Sequence, residues 1–271
     1  MKNNRKALLL LLCAVLMVSA SVFGTLAYLT DTDDVTNTFS VGQVGLKLDE
    51  AKVNTEGKPV DKDGNVLDEV KDAPRVDGNE YHLLPGHTYV KDPTVTVDAK
   101  SADSYVRMVV DVKNIGELKA ALPTSESINN DDGTTTIVTY PDNAIYYADL
   151  DKDGEVDDFA LEKLLDNSWN YNYWEFVKYS ESGTTGTYEF RYRNHDTKVN
   201  YVVYSESETK LPALFTKIKV PGEIDNTHLA HLDNVEIVVT AHAMQRDGFE
   251  TAEDSAWGSF DNQMTPTTPN P

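Results

Sequence analysis

Cysteine is all but missing from this chain. Its 271 residues contain one, Cys13, inside an apolar run near the N-terminus. A chain cleaved beyond that run has no disulfide to rely on, so the fold it exports rests on an ordinary hydrophobic core, and cysteine catalysis is excluded. Cys13 follows Leu10, Leu11 and Leu12, not the small residue of a lipoprotein cleavage site, and is not read as a lipid anchor. Positive charge is scarce as well: 24 Lys and Arg against 45 Asp and Glu give a formal charge of −21. Such a surface repels phosphate backbones, which disfavours nucleic acid as a partner, and it attracts divalent cations. A Gly-x-Ser-x-Gly elbow and a phosphate loop are both missing. The nearest approach to a zinc-protease motif is His228-Leu-Ala-His231, one residue short of His-Glu-x-x-His and without its glutamate. His82 and His87 flank a Pro-Gly turn, His195 and His242 stand alone, and none is assigned a catalytic role.

What the chain does have begins with an address. Lys2, Arg5 and Lys6 precede an apolar run from Ala7 to about Phe23, and Thr25 and Ala27 supply small residues at its exit. This is the pattern of a secretory signal, with cleavage expected between Ala27 and Tyr28. A cut after Ala20 is the weaker alternative, and an uncleaved anchor is the competing reading, since Ala7 to Leu29 could span a bilayer. Removing the three basic residues takes the formal charge from −21 to −24.

Beyond the signal, period-two alternation and turn residues dominate. Residues 28–48 are expected to form a free arm running into a first strand, with Phe39 and Val41 on one face and Val44, Leu46 and Leu48 continuing the pattern. Residues 49–80 are polar and rich in turns, an excursion with little to give a core. Ser104 to Val112 has the β-branched density of a central strand, and Val235, Ile237, Val239, Ala241 and Ala243 alternate cleanly. Further strands are expected at Trp169–Tyr179, Thr187–Tyr192, Val199–Tyr204 and Leu214–Val220. Short helices are expected at Ile115–Leu122, Phe159–Leu165 and around Thr251–Trp257. The aromatic residues of 169–204 are read as sandwich core. Five Asp-Gly turns and few helices predict an all-β fold, an antiparallel β-sandwich with short helices inserted. Residues 81–260 would complete it, with an insertion around 113–180, and 261–271 would be a Pro/Thr tail.

One acidic loop carries coordination chemistry. Asp149, Asp151, Asp153, Glu155 and Asp157 fall at alternate positions around Gly154, as in the first nine positions of a calcium loop. Oxygens two residues apart on a curled loop converge on one hard cation. Position twelve, where a bidentate carboxylate belongs, is Ala160, so the alternative is a solvated acidic turn capping the next helix.

Three stretches together resemble a family. Gly24-Thr-Leu-Ala-Tyr-Leu-Thr-Asp31 with Asn37-Thr-Phe-Ser-Val-Gly42, then Leu84-Pro-Gly86 before Lys91-Asp-Pro-Thr-Val95, and finally Val239 to Gln245 with Asp247-Gly-Phe249, are similar to the TasA, CalY and camelysin group of Gram-positive exported proteins. The signal junction resembles the SipW-dependent class. The resemblance implies a jelly-roll-like sandwich, a dedicated ER-type signal peptidase as processing partner, and a place at the cell surface or in a biofilm matrix. For the TasA branch it implies homopolymers, the freed arm of one subunit adding to the sheet edge of the next. Leu29, Val35 and Phe39 are available to fill pockets there. Two other outcomes are a camelysin-like metallopeptidase, for which no zinc motif is visible, and a monomeric surface adhesion or ligand-binding module.

Overall fold

The computed structural model describes residues 44–122, 125–129, 133–139, 147–150, 152, 158–159, 161–166, 168–222 and 224–264. Residues from Gly42 onward form one unit. The strands are β1 (Leu46–Ala51), β2 (Arg75–Val76), β3 (Thr88–Val90), β4 (Thr94–Val97), β5 (Ser104–Lys113), β6 (Ser125–Asn129) and β7 (Thr135–Thr139). They continue as β8 (Tyr147–Ala148), β9 (Asp158–Phe159), β10 (Trp174–Ser182), β11 (Thr185–Tyr192), β12 (Thr209–Lys210), β13 (Lys217–Lys219) and β14 (Glu236–Gln245). Among the described residues three short helices are inserted, Ile115–Ala121, Asn226–Leu232 and Glu253–Met264.

Two four-stranded sheets, β12-β4-β1-β2 and β10-β11-β5-β14, supply most of the core, and every pairing is antiparallel. The fold is therefore all-β with a sandwich-like core and short inserted helices. Alternation explains why β5 sits in the middle. Val106, Met108, Val110 and Val112 are each at most 1% exposed and face the core, where they meet Val95 and Val97 of β4 and Tyr188 and Phe190 of β11. Each such side chain, fully buried, contributes on the order of 1.5–3 kcal/mol. The aromatic strands are core as expected: Trp174 is fully buried and its indole N–H donates to the Pro212 carbonyl at 2.9 Å.

Three segments depart from expectation. Val199–Tyr204 makes isolated bridges at Val199 and Val202 and no strand. Of the helical piece expected at Phe159–Leu165, Phe159 belongs to β9 and Leu161–Leu164 is a single 3₁₀ turn. The polar excursion is not a bystander: Ala51, Val53, Val60 and Ala73 are buried, and Arg75–Val76 pairs with the end of β1. Within it, Asn54 Oδ1 accepts from the Glu56 and Lys58 amides, and Asp61 Oδ1 from those of Asp63 and Asn65, so its turns are built by side chains. Gly57 adopts φ +75°, and a Cβ there would lie 2.6 Å from the Tyr89 Cα, so only glycine lets this loop cross β3.

Candidate functional site

The signal and arm residues singled out by the sequence, Ala27, Tyr28, Leu29, Val35 and Phe39, lie outside the described residues, as do Asp151, Asp153, Glu155 and Asp157 of the acidic loop. Asp149 is described and is exposed after β8. Among the described residues no three His, Cys, Asp or Glu side chains are grouped to hold a metal ion. No helix among them is long and apolar enough to cross a membrane.

His228 and His231 sit on the helix Asn226–Leu232, which starts where Asp225 Oδ1 accepts from the Thr227 and His228 amides. Their rings are engaged separately, His228 Nδ1 with Asp225 at 2.7 Å and His231 Nδ1 with Glu117 at 2.6 Å. The two Nδ1 atoms thus go to two different carboxylates.

That helix and the helix Ile115–Ala121 flank a cavity of about 430 Å³ whose walls include Leu118, Leu122, Ile224, Leu229, Leu232 and Ile237. The phenols at its other wall, of partly buried Tyr81 and buried Tyr89, are already satisfied. Tyr81 Oη donates to the Val90 carbonyl, and Tyr89 Oη donates to the His82 carbonyl and accepts from the Leu84 amide. Burial, reinforced by the Glu50 charge, pushes the Tyr81 phenol well above its usual range, so it stays protonated. The cavity offers apolar contact and shape, with Lys91, Lys219, Asp233 and Glu236 also on its walls.

Two charge clusters tie peripheral segments to the sheets. At the first sheet, Arg75 donates from Nε to Asp49 Oδ1 (2.7 Å), from Nη1 to Asp92 Oδ2 (2.5 Å), and from Nη2 to the carbonyls of Asp49 (2.8 Å) and Asp92 (3.0 Å). Lys91 meets Glu50 at 2.7 Å, and Asn79 bridges Glu50 to the backbone of Ala51 and Val53. Burial works against the Asp49 charge, but the Arg75 and Lys47 hydrogen bonds and charges outweigh it and hold the carboxyl below its usual range.

At the second sheet a row crosses the outer face in register: Glu175 on β10, Arg191 on β11, Arg107 on β5 and His242 on β14. Arg107 and Glu189 beside it are 5% and 3% exposed. The helix Glu253–Met264 lies over this row. Asp261 takes both Arg107 amino groups, at 2.5 and 3.3 Å, and Asp254 takes Arg191 at 2.5 Å. The Arg107 guanidinium also rests against the rings of Trp257 (4.6 Å) and Phe260 (5.2 Å). Sequence reading passed over both clusters, because arginines and acids far apart in the chain carry no local spacing signal.

The sheet edges differ. β10 is broken by a bulge between Phe176 and Lys178 and carries Glu175, Lys178 and Glu181, devices that discourage pairing. β14 runs ten residues in unbroken register with β5, from Glu236 opposite Lys113 to Gln245 opposite Ser104, with one carboxylate and no bulge. β1 approaches β14 without sharing a ladder with it, and among the described residues no strand is hydrogen-bonded to the outer side of β14.

No family model matches the chain, and neither does any curated protein or solved structure.

Proposed function

We propose that this protein is a non-enzymatic, exported β-sandwich that self-assembles at the cell surface or in the extracellular matrix by strand addition. In this reading a dedicated signal peptidase frees the arm beginning at Tyr28, and Leu29, Val35 and Phe39 of that arm dock on a sheet edge of another copy. The observation that carries the proposal is β14, a long, regular and almost uncharged edge on an otherwise strongly acidic protein. Main-chain hydrogen bonds along such an edge give affinity, and alternate side chains give register. The resemblance of the signal junction and of Val239–Gln245 to the TasA group supports the same reading. Calcium at the Asp149–Asp157 loop is its proposed cofactor, acting to relieve self-repulsion.

The test compares residues 28–271 with a form beginning at Val41, by electron microscopy and light scattering, with and without calcium and at neutral and mildly acidic pH. Filaments from the longer form alone support assembly through the arm. Monomers from both forms in every condition would remove this reading in favour of a monomeric surface module.

A further inference from the structure

The cation row on the outer face of the second sheet is an unusual thing to build into this protein. Arg107 and Arg191 stand directly opposite each other on β5 and β11, and His242 stands opposite Arg107 on the other side. Like charges in opposed positions destabilise a sheet. Glu189 answers part of the repulsion, reaching Arg191 at 2.8 Å, Lys178 at 3.4 Å and Arg107 at 3.7 Å. The rest is answered by the helix Glu253–Met264, through Asp254 and Asp261. Those two carboxylates are 91% and 47% exposed, so water and salt reach them. Apart from them, the helix is held by a small apolar patch in which Ala256 and Trp257 pack on Tyr105, and by Asn200 and Arg193 reaching Glu253. The hydrogen bond from Tyr105 Oη to the Phe249 carbonyl secures the turn before the helix, which contains Gly248 at φ +85°.

We propose that the helix Glu253–Met264 is an exchangeable cover: mild acid opens it, and the exposed row of His242, Arg107 and Arg191 then takes the same helix of a second copy. The occupant follows from complementarity. The row requires carboxylates spaced as Asp254 and Asp261 are, with an aromatic pair between them to stack on Arg107, and a second copy carries that segment on an identical seven-residue connection, 246–252. This contact is separate from the N-terminal arm.

Acid opens the cover through groups that all face the same spot. His242 touches Arg107 Nε at 3.3 Å and the Phe260 ring at 5.0 Å, with Asp261 of the helix, Glu189 of β11 and Lys178 of β10 around the cluster. Burial, and then the Arg107 charge, hold the His242 ring below its usual range, while the Arg107 hydrogen bond holds Asp261 below its own. Arg107 stays opposite His242 on β5 whether or not the helix is seated, so the part of the His242 shift that opening relieves is the burial of the ring under Phe260; that part, and the Asp261 shift, favour the closed form at high pH. In mild acid the uncovered ring takes up the proton more readily than the covered one, and the closed-to-open ratio falls by at most about tenfold per pH unit until the closed form also protonates. Asp261 adds to the loss below about pH 4.

The test uses residues 41–271, which contain the whole unit from Gly42 and lack the arm, so that assembly through the helix is told apart from assembly through the arm; the protein is labelled with fluorotryptophan, and of its three tryptophans only Trp257 is in the helix. The Trp257 ¹⁹F line, assigned with Trp257→Phe, is followed from pH 7.5 to 4.5 at low and high salt. Millimolar protein held at pH 5 is then returned to pH 7.5 and sized. In a second arm, a copy with Arg107→Glu is mixed with a copy carrying Asp254→Lys and Asp261→Lys. The expected result is a Trp257 line that moves towards its exposed position between pH 6.5 and 5, earlier in high salt. Dimers should then persist at pH 7.5, and heterodimers should form from the mixed variants. A Trp257 line unmoved while the β-sheet signal persists overturns the cover, and a line that moves in a chain that stays monomeric overturns the second-copy occupant. If the charge-reversed variants fail to fold, the sizing of the wild-type chain decides alone.

Discussion

The two arginine clusters use the same chemistry to opposite ends. Arg75 is locked to the first sheet through two carboxylates and two main-chain carbonyls, and its partners are themselves buried, Asp49 to 7% and Asp92 to 13% side-chain exposure. Arg107 is buried more deeply than Arg75, with 6% against 21% side-chain exposure, but its helix partner Asp261 is half in water. Where both partners are out of water, removing one leaves an uncompensated buried charge, and the tie behaves as part of the fold. Where one partner keeps its hydration, the tie is a contact that solvent conditions can tune.

The sharpest way to break this comparison is to delete each arginine in turn. Arg75→Ala leaves the buried Asp49 only the exposed Lys47 and Asp92 only the Ala51 amide, and is expected to lower unfolding stability by about 3–5 kcal/mol, read from urea denaturation. Arg107→Ala leaves Glu189 still paired with Arg191 and Lys178, and its loss should be nearer 1.5–3 kcal/mol, with faster hydrogen exchange confined to 253–264. Equal losses from the two variants would abolish the distinction.

Acid separates the clusters next. Asp49 has a depressed pKa, so its stabilising contribution is complete above the ordinary aspartate value of ~3.9 and is lost only as pH falls below that through its folded value. The helix cover begins to loosen near pH 6.5 through His242. Hydrogen exchange at pH 5, corrected for intrinsic rate, should therefore show 253–264 less protected than at pH 7 while 49–53 and 75–79 are unchanged. The smallest effect belongs to Asp254→Asn. It removes an exposed ion pair and should cost less than about 1 kcal/mol, and that difference should shrink further in 1 M salt.

How much of this was legible in the sequence depends on the range of the interaction. β14 was readable almost to the residue, since Val235 to Ala243 alternate within one stretch, and so were β5 and the helix Ile115–Ala121. Their signals are local and periodic. Val199–Tyr204 has the same β-branched and aromatic composition, yet it makes only bridges there, because composition says nothing about whether a partner edge is within reach. The helix Asn226–Leu232, although Asp225 caps it, is too short and too polar to carry a periodic signal. Burial of the 49–80 excursion depends on Arg75 meeting Asp49 and Asp92, 26 and 17 positions away, and no period encodes that.

The unbroken register of β14 also has a mechanical meaning. The C-terminal helix is the next element along the chain from β14, so a pull on the C-terminus reaches the helix first and detaches it contact by contact, each exposed ion pair yielding at low load. Only then does tension enter β14, where it is shared along the ladder with β5. The helix is thus a shock absorber in series with a stiff strut, and the molecule can lengthen at its end before its sandwich bears any strain.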